Sequence, residues 1–212
     1  MKVNYFDFGV AGGEELYWMV DHYFPQLGIV DYSAYGFEAC FGYYNSVNKL
    51  FESFENVNII HKAISNSHGE TIKLHHAVNT VGHSIFSSKD GLNNQYEEVE
   101  SVLFSKWVNE NSIDLDGCLN ILKVNIEGAE WYLFNDLVDS GLINNFSVFL
   151  GAGHDIEKVG ELNEHVQEYY DLLDANGIEI LRYSEWKPER NVDIVSLIDS
   201  KLIEMEENEN TF

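Results

Sequence analysis

Positive charge is what this sequence lacks most: 12 Lys and Arg stand against 36 Asp and Glu in 212 residues, a formal net charge of -24. Such a surface repels phosphate backbones and anionic headgroups, so nucleic acid and membranes are not expected partners. Cysteine is scarcer still in number, at two residues. Cys40 and Cys118 lie in apolar surroundings without CxxC spacing, which excludes a disulfide scaffold and points to buried thiols in a reducing compartment. No apolar run approaches the roughly 18 residues of a membrane span. The start "MKVNYFDFG" meets Asn4 and Asp7 too early for a signal peptide. A cytoplasmic chain with one core is expected: a single domain over 1–203, a polar arm or insertion at 66–98, and an acidic tail at 204–212.

What is present is a strand-and-helix alternation. "KVNYFDFG" (2–9) is a β-type run closed by glycine, and Leu16, Met19, Val20 and Tyr23 follow at helical spacing. The pattern repeats in the strand 32–39, a helix from Cys40, and the strand 56–64, which predicts parallel pairing. Residues 71–78 suit a strand or an insertion arm, and 99–110 read as helical or partly extended. "LNILKVNI" (119–126) predicts a buried strand, followed by a helix ended by Gly141, a strand at 146–153 and an amphipathic helix at 158–176. The last two β-type runs, 177–184 and 191–198, are separated only by a short "EWKPER" segment. They predict an antiparallel hairpin and therefore a mixed sheet.

Three places carry the expected chemistry. In "DFGVAGGEE" (7–15), Glu14 stands where a dinucleotide fingerprint needs its third glycine, and no Gly-Lys-Ser/Thr follows to make a P-loop. A ligand held near the backbone of Gly9, Ala11 and Gly13 should therefore carry little negative charge; S-adenosylmethionine, with its positive sulfonium and ammonium, fits. The alternative is that these glycines only form the turn while the glutamates favour a helix N-terminus. Glu38 ends the second strand, where an acid can accept both hydroxyls of a ribose or can simply be a loop acid. Asn125 and Glu127 follow the strand 119–126 to the same sheet end, although Glu127 and Glu130 also suit a helix start.

"FDFGVAGGEE", "YGFEA", "HKAISNSHGE", "VESVLFSKWV" and above all "LNILKVNIEGAEWYLFNDLVDSG" resemble, in order and spacing, the FkbM-type S-adenosylmethionine-dependent methyltransferases. The resemblance covers nearly the whole chain. It implies an α/β, Rossmann-like class I methyltransferase fold: a seven-stranded mixed sheet of order 3-2-1-4-5-7-6, last strand antiparallel, with helices on both faces. It also implies that Asp7, Gly9 and Gly13 belong to the cofactor's glycine-rich loop and Glu38 to its ribose. His61, Lys62 and Ala63 would lie near the adenine, and Asn125 and Glu127 would face the methionine end or the acceptor. One departure is that the family's aspartate is replaced by Asn125, which keeps hydrogen-bonding capacity and loses the charge. The chain begins almost at its first strand, so acceptor recognition is expected either to be reduced or to be supplied by residues 66–98.

Five of the eight histidines, His61, His68, His75, His76 and His83, fall within 23 residues without a zinc pattern, so polar surface is the expectation and no metal is assigned. His154, after the strand 146–153, is either the candidate general base or a loop histidine, and Asp155 beside it either orients the ring or is simply solvated. Tyr43, Tyr44, Trp131 and Tyr132 are expected to be core more than rim. The functional expectation is O-methylation of a small polar acceptor, such as a sugar hydroxyl, with His154 or Glu127 taking the proton. The other readings are a methyltransferase-like binding or assembly module without catalysis, and a nicotinamide enzyme whose anion would have to tolerate Glu14 and Glu15. A homodimer is compatible with the sequence.

Overall fold

Strand β1 (Val3–Phe8) is buried at every position, as a central strand covered on both faces must be. Its side chains alternate between two apolar clusters: Val3 and Tyr5 join one, Phe6 and Phe8 the other. The computed structural model describes residues 1–79, 81–183 and 192–209. After β1 come helix α1 (Glu14–Trp18), which continues as wider helical turns to Gln26, then β2 (Tyr32–Phe37), α2 (Phe41–Leu50) and β3 (Val57–Ile60). Next come β4 (Ala63–Ile64), β5 (Thr71–Ala77), β6 (Leu92–Val102) and α3 (Phe104–Glu110). The chain closes with β7 (Leu119–Val124), α4 (Glu130–Asp139), β8 (Phe146–Gly151), α5 (Val166–Ala175), β9 (Ile180–Leu181) and α6 (Val192–Glu209).

Among the described residues the central sheet has six strands in the order β3-β2-β1-β7-β8-β9, and every pairing found in it is parallel. One face carries α1, α2 and α6 over Tyr5, Leu16, Val47, Ile121 and Ile194. The other carries α3, α4 and α5 over Phe6, Phe104, Leu122, Leu133 and Tyr169. This is an α/β architecture with a parallel sheet covered on both faces. A second, three-stranded sheet, β4-β6-β5, forms within and beside the polar stretch 66–98; its β5 and β6 pair antiparallel and its β4 pairs parallel to β6.

The seven-stranded mixed sheet with an antiparallel last strand is corrected at the C-terminal edge. Among the described residues of the run 177–184 only Ile180 and Leu181 pair, and they lie parallel to β8. The run 191–198 is helical from Val192. Ile194 and Ile198, one helical turn apart, are the buried pair. "VDIVSLI" has apolar residues at offsets that satisfy both a two-residue and a 3.6-residue period, and packing of Ile194 and Ile198 on the sheet selects the helix. The intervening residues 184–191 lie outside the described ones. The helix expected over 158–176 becomes regular only at Val166, after two 3-10 stretches, Asp155–Lys158 and Gly160–His165.

Candidate functional site

The carboxyl ends of β1, β2, β3 and β7 surround a cavity of about 550 Å³ lined by the glycine loop, Glu38, Lys62 to Ile64, Asn125 to Glu127 and residues of the 66–98 stretch. Ligands of open parallel sheets bind at this end, where loops leave the strands.

The glycine loop is shaped by two close approaches. Gly9, at φ +86°, passes Asn125 so tightly that a Cβ would lie 2.0 Å from the Asn125 carbonyl oxygen. Ala11 adopts a left-handed φ of +48°, unusual for a residue with a side chain, and turns its N–H toward Glu38. Glu38 Oε2 accepts from the Ala11 N–H and Oε1 from the Cys40 N–H, both at 2.8 Å. Burial pushes the Glu38 carboxyl up from its ordinary value, while these two amides pull against that shift. Each carboxylate oxygen retains a lone pair for a further donor.

Asp7 does not line the cavity. It is in register with Lys123 on β7, and the two-residue period sends both side chains to the α1 side of the sheet. Lys123 Nζ lies 2.9 Å from Asp7 Oδ1 and 3.0 Å from Glu15 Oε2, and donates to the Gly9 carbonyl at 2.8 Å. Burial opposes the charge on this lysine, but the two carboxylates outweigh it and push the ammonium well above its ordinary range. Glu15 is therefore the counter-ion of a buried lysine beneath the loop. Glu14 is exposed, with its carboxylate folded against Gly12.

Asn125 and Glu127 both line the cavity. The turn that presents them holds Glu127 at φ +57° and Gly128 at φ +108°. Buried Glu130 closes that turn, accepting from the Ile126 N–H at 3.0 Å and the Gly128 N–H at 2.6 Å. Burial and the nearby Asp155 charge push the Glu130 carboxyl up to about 8. Glu127 is tied to the arm: Lys89 Nζ lies 3.0 Å from its carboxylate, and Ser84 Oγ donates to its carbonyl at 2.7 Å.

Lys62 and Ala63 line the cavity, with Lys62 paired to Glu100. His61 does not line it; its Nε2 lies 3.1 Å from the Ala39 carbonyl and its ring stacks on Tyr44 at 4.8 Å. His154 is exposed at the start of a 3-10 turn and is not brought to the cavity, because the chain turns away immediately after Gly153. Asp155 is committed to Lys158. Neither residue is placed to act on a ligand in the cavity.

Sequence reasoning passed over Lys123, Lys89, Tyr43 and His83 as site residues. Lys123 had a signal, since a lysine inside an apolar parallel strand has to be paired. His83 had none. It reaches the cavity by way of the arm, and its Nδ1 accepts the Ala77 N–H at 3.0 Å. Burial, then the neighbouring His76 and Lys89, lower its pKa, so the ring is neutral and its proton sits on Nε2. Among the described residues, no group of three or more His, Cys, Asp or Glu could hold a metal ion, and no helix is long and apolar enough to cross a membrane.

Comparison of the chain with protein-family models, with curated proteins and with solved structures finds no match.

Proposed function

We propose that the chain is an S-adenosylmethionine-dependent methyltransferase acting on an oxygen of a small acceptor. The observation that carries this reading is Glu38. A buried carboxylate ends β2 beside a left-handed loop, is aimed by two backbone amides, and borders a cavity large enough for a cofactor and a small partner. Its remaining lone pairs suit the two hydroxyls of a ribose, and Gly9, Ala11 and Gly13 bring backbone close to whatever lies beside it. With Glu15 neutralised by Lys123, the carboxylates of Glu14 and Glu38 around the loop suit a cationic ligand and disfavour a pyrophosphate. The residues thus fit S-adenosylmethionine, which when bound supplies an electrophilic methyl group on a sulfonium.

Within this reading, Glu38 binds and orients, and Lys123 holds the Gly9 carbonyl so that the loop keeps its shape. Asn125 fixes a polar group at the acceptor side, and the arm residues Val81 to Ile85 wall that side. The oxygen's proton has Glu127 as its nearest acceptor among the expected bases, once Lys89 gives up its hold on that carboxylate.

A second reading, a methyltransferase-like binding module, is favoured by one observation: Glu127 is held by Lys89 and His154 lies outside the cavity, so no expected base stands free there. Calorimetric titration with S-adenosylmethionine and S-adenosylhomocysteine, for wild type and Glu38→Ala, tests the cofactor assignment. Saturable binding that Glu38→Ala weakens supports it; no binding by the folded protein removes it. Transfer of a labelled methyl group to any acceptor separates the enzyme from the module.

A further inference from the structure

The cavity has two chemically different sides. One is the glycine loop with Glu38. The other is built largely from the arm and the elements under it: Tyr43, Ile64, Leu74, Val81, Ile85 and Ile126 supply aliphatic and aromatic surface. Leu74 and Ala63 belong to a small apolar cluster with Val99 and Cys40, and Tyr43 and Ile85 pack against it, so this wall is continuous with a core.

Apart from the Asn125 side chain, the polar groups of this side are mostly committed already. The Glu127 carboxylate is paired with Lys89, and Lys89 Nζ also donates to the Gly82 carbonyl at 3.0 Å. Lys62 is paired with Glu100. His83 Nδ1 is occupied by the Ala77 N–H, which leaves the ring one function, donation from Nε2–H. Its ring lies 6.0 Å from that of Tyr43 and 4.9 Å from that of His76. A sugar ring entering here would have to bury several hydroxyls against aliphatic carbon, each without its hydrogen bond, and a site that binds sugars cannot leave them so. One oxygen on an otherwise apolar molecule meets the wall without that cost, because apolar surface is removed from water and a single donor answers the single oxygen.

Resting on the cofactor reading above, we infer that the arm side of the cavity takes a compact, mainly apolar acceptor bearing one uncharged hydroxyl, of the phenol or simple alcohol class, with His83 Nε2–H orienting that oxygen. This departs from the sugar expected from the sequence. His83 is a specificity residue in this arrangement. With its Nδ1 already accepting, it does not take the acceptor's proton.

The test uses the full chain, first titrated with S-adenosylhomocysteine and then, loaded and unloaded, with 2-naphthol, benzyl alcohol and methyl β-D-glucopyranoside, followed by calorimetry and ligand-observed NMR. Saturable binding of 2-naphthol and benzyl alcohol, with the glucoside at least tenfold weaker, is expected. In His83→Leu, 2-naphthol affinity should fall about tenfold while S-adenosylhomocysteine affinity stays unchanged. Ile85→Asn, which adds polarity to the wall without touching His83, should weaken 2-naphthol too, and it serves if His83→Leu does not fold. Preference for the glucoside, or no saturable binding of either aromatic probe to loaded protein, overturns the inference while the cofactor reading stands. If S-adenosylhomocysteine does not bind, the cofactor reading falls, and the probes on the unloaded chain still decide: His83-dependent binding of 2-naphthol keeps the apolar acceptor side, and its absence removes it.

Discussion

Asp7 and Lys123 are direct register partners on adjacent parallel strands, and their side chains meet at 2.9 Å inside the sheet's α1 face. With Glu15 at 3.0 Å and the Gly9 carbonyl at 2.8 Å, the ammonium has three oxygens within 3.0 Å. Removing the cation leaves two carboxylates facing each other in a buried space. Lys123→Met should cost ~3–5 kcal/mol of stability, the usual result of breaking a buried pair from one side. Adding Asp7→Asn to it should recover part of that loss, because the remaining charge is then Glu15 alone, which can reach solvent. Urea unfolding of the two variants beside wild type checks both; equal stability of Lys123→Met and wild type would show that the network carries no weight.

Gly9 offers a sharper backbone test. Its φ of +86° is open to glycine, and its missing Cβ makes room for the Asn125 carbonyl, 2.0 Å from where that carbon would be. Gly177 has a comparable φ of +63° but nothing within 4 Å. Gly177→Ala should therefore cost only about 1–2 kcal/mol, the left-handed penalty alone. Gly9→Ala should cost more than that and should also displace the turn bearing Asn125 and Glu127. A smaller loss at Gly9 than at Gly177 in parallel thermal melts would contradict the close crossing.

How much of this was legible in the sequence follows from the range of the interactions. The strands of the central sheet, the glycine loop and Glu38 are local patterns, and each shows itself within a window of ten residues. Lys89 meets Glu127 across 38 residues and Ser84 across 43, with no periodicity to announce either contact. His154 was expected at the cavity because β8 ends where a site strand should, yet a strand's position does not fix where the loop after it goes. The C-terminal helix was misread for a different reason. Its apolar residues satisfy two periods, and only burial of Ile194 and Ile198 against the sheet distinguishes them. Asp7, taken for a ligand group, is a case where the two-residue period already contained the answer: it puts Asp7 on the same face as Tyr5, under α1.

Glu130 predicts a pH dependence whose sign can be worked out. Its folded carboxyl titrates near 8 against an ordinary 4.5, raised first by burial and then by the Asp155 charge. Between those two values the folded chain binds more protons than the unfolded one, so this residue's contribution to stability falls as pH rises through the window and levels off above about 8. Glu130→Gln removes the titration. The difference in unfolding free energy between wild type and this variant should decline from pH 5 to pH 8 and then stay flat. A difference that is constant across that range would mean the carboxyl is ionised throughout, held so by the amides of Ile126 and Gly128.

The arm is fastened to the sheet at few points, and this decides what its variants should do. Lys89 and Ser84 bind Glu127, the Asp90 N–H donates to the Lys158 carbonyl at 3.0 Å, and Ser87 and Ser88 contact Glu161. Beyond Phe86, packed in the main core, and Ile85, packed against it, the described residues of the connecting segment have little apolar anchorage: Val78 and Val81 are exposed. Lys89→Met leaves a mostly buried Glu127 carboxylate without its counter-ion, so the global cost should exceed the ~1 kcal/mol of a surface pair. Local opening is another matter, because the arm's stability is set by its own contacts and lies below that of the sheet. Hydrogen exchange at the amides of Ala77 and Ser84 should therefore accelerate several-fold in Lys89→Met, and further when Ser84→Ala is added. Exchange in β1 and β7 should be unchanged. Uniform acceleration across the arm and the central sheet would show instead that both unfold as one unit, and that the cavity has no separately moving wall.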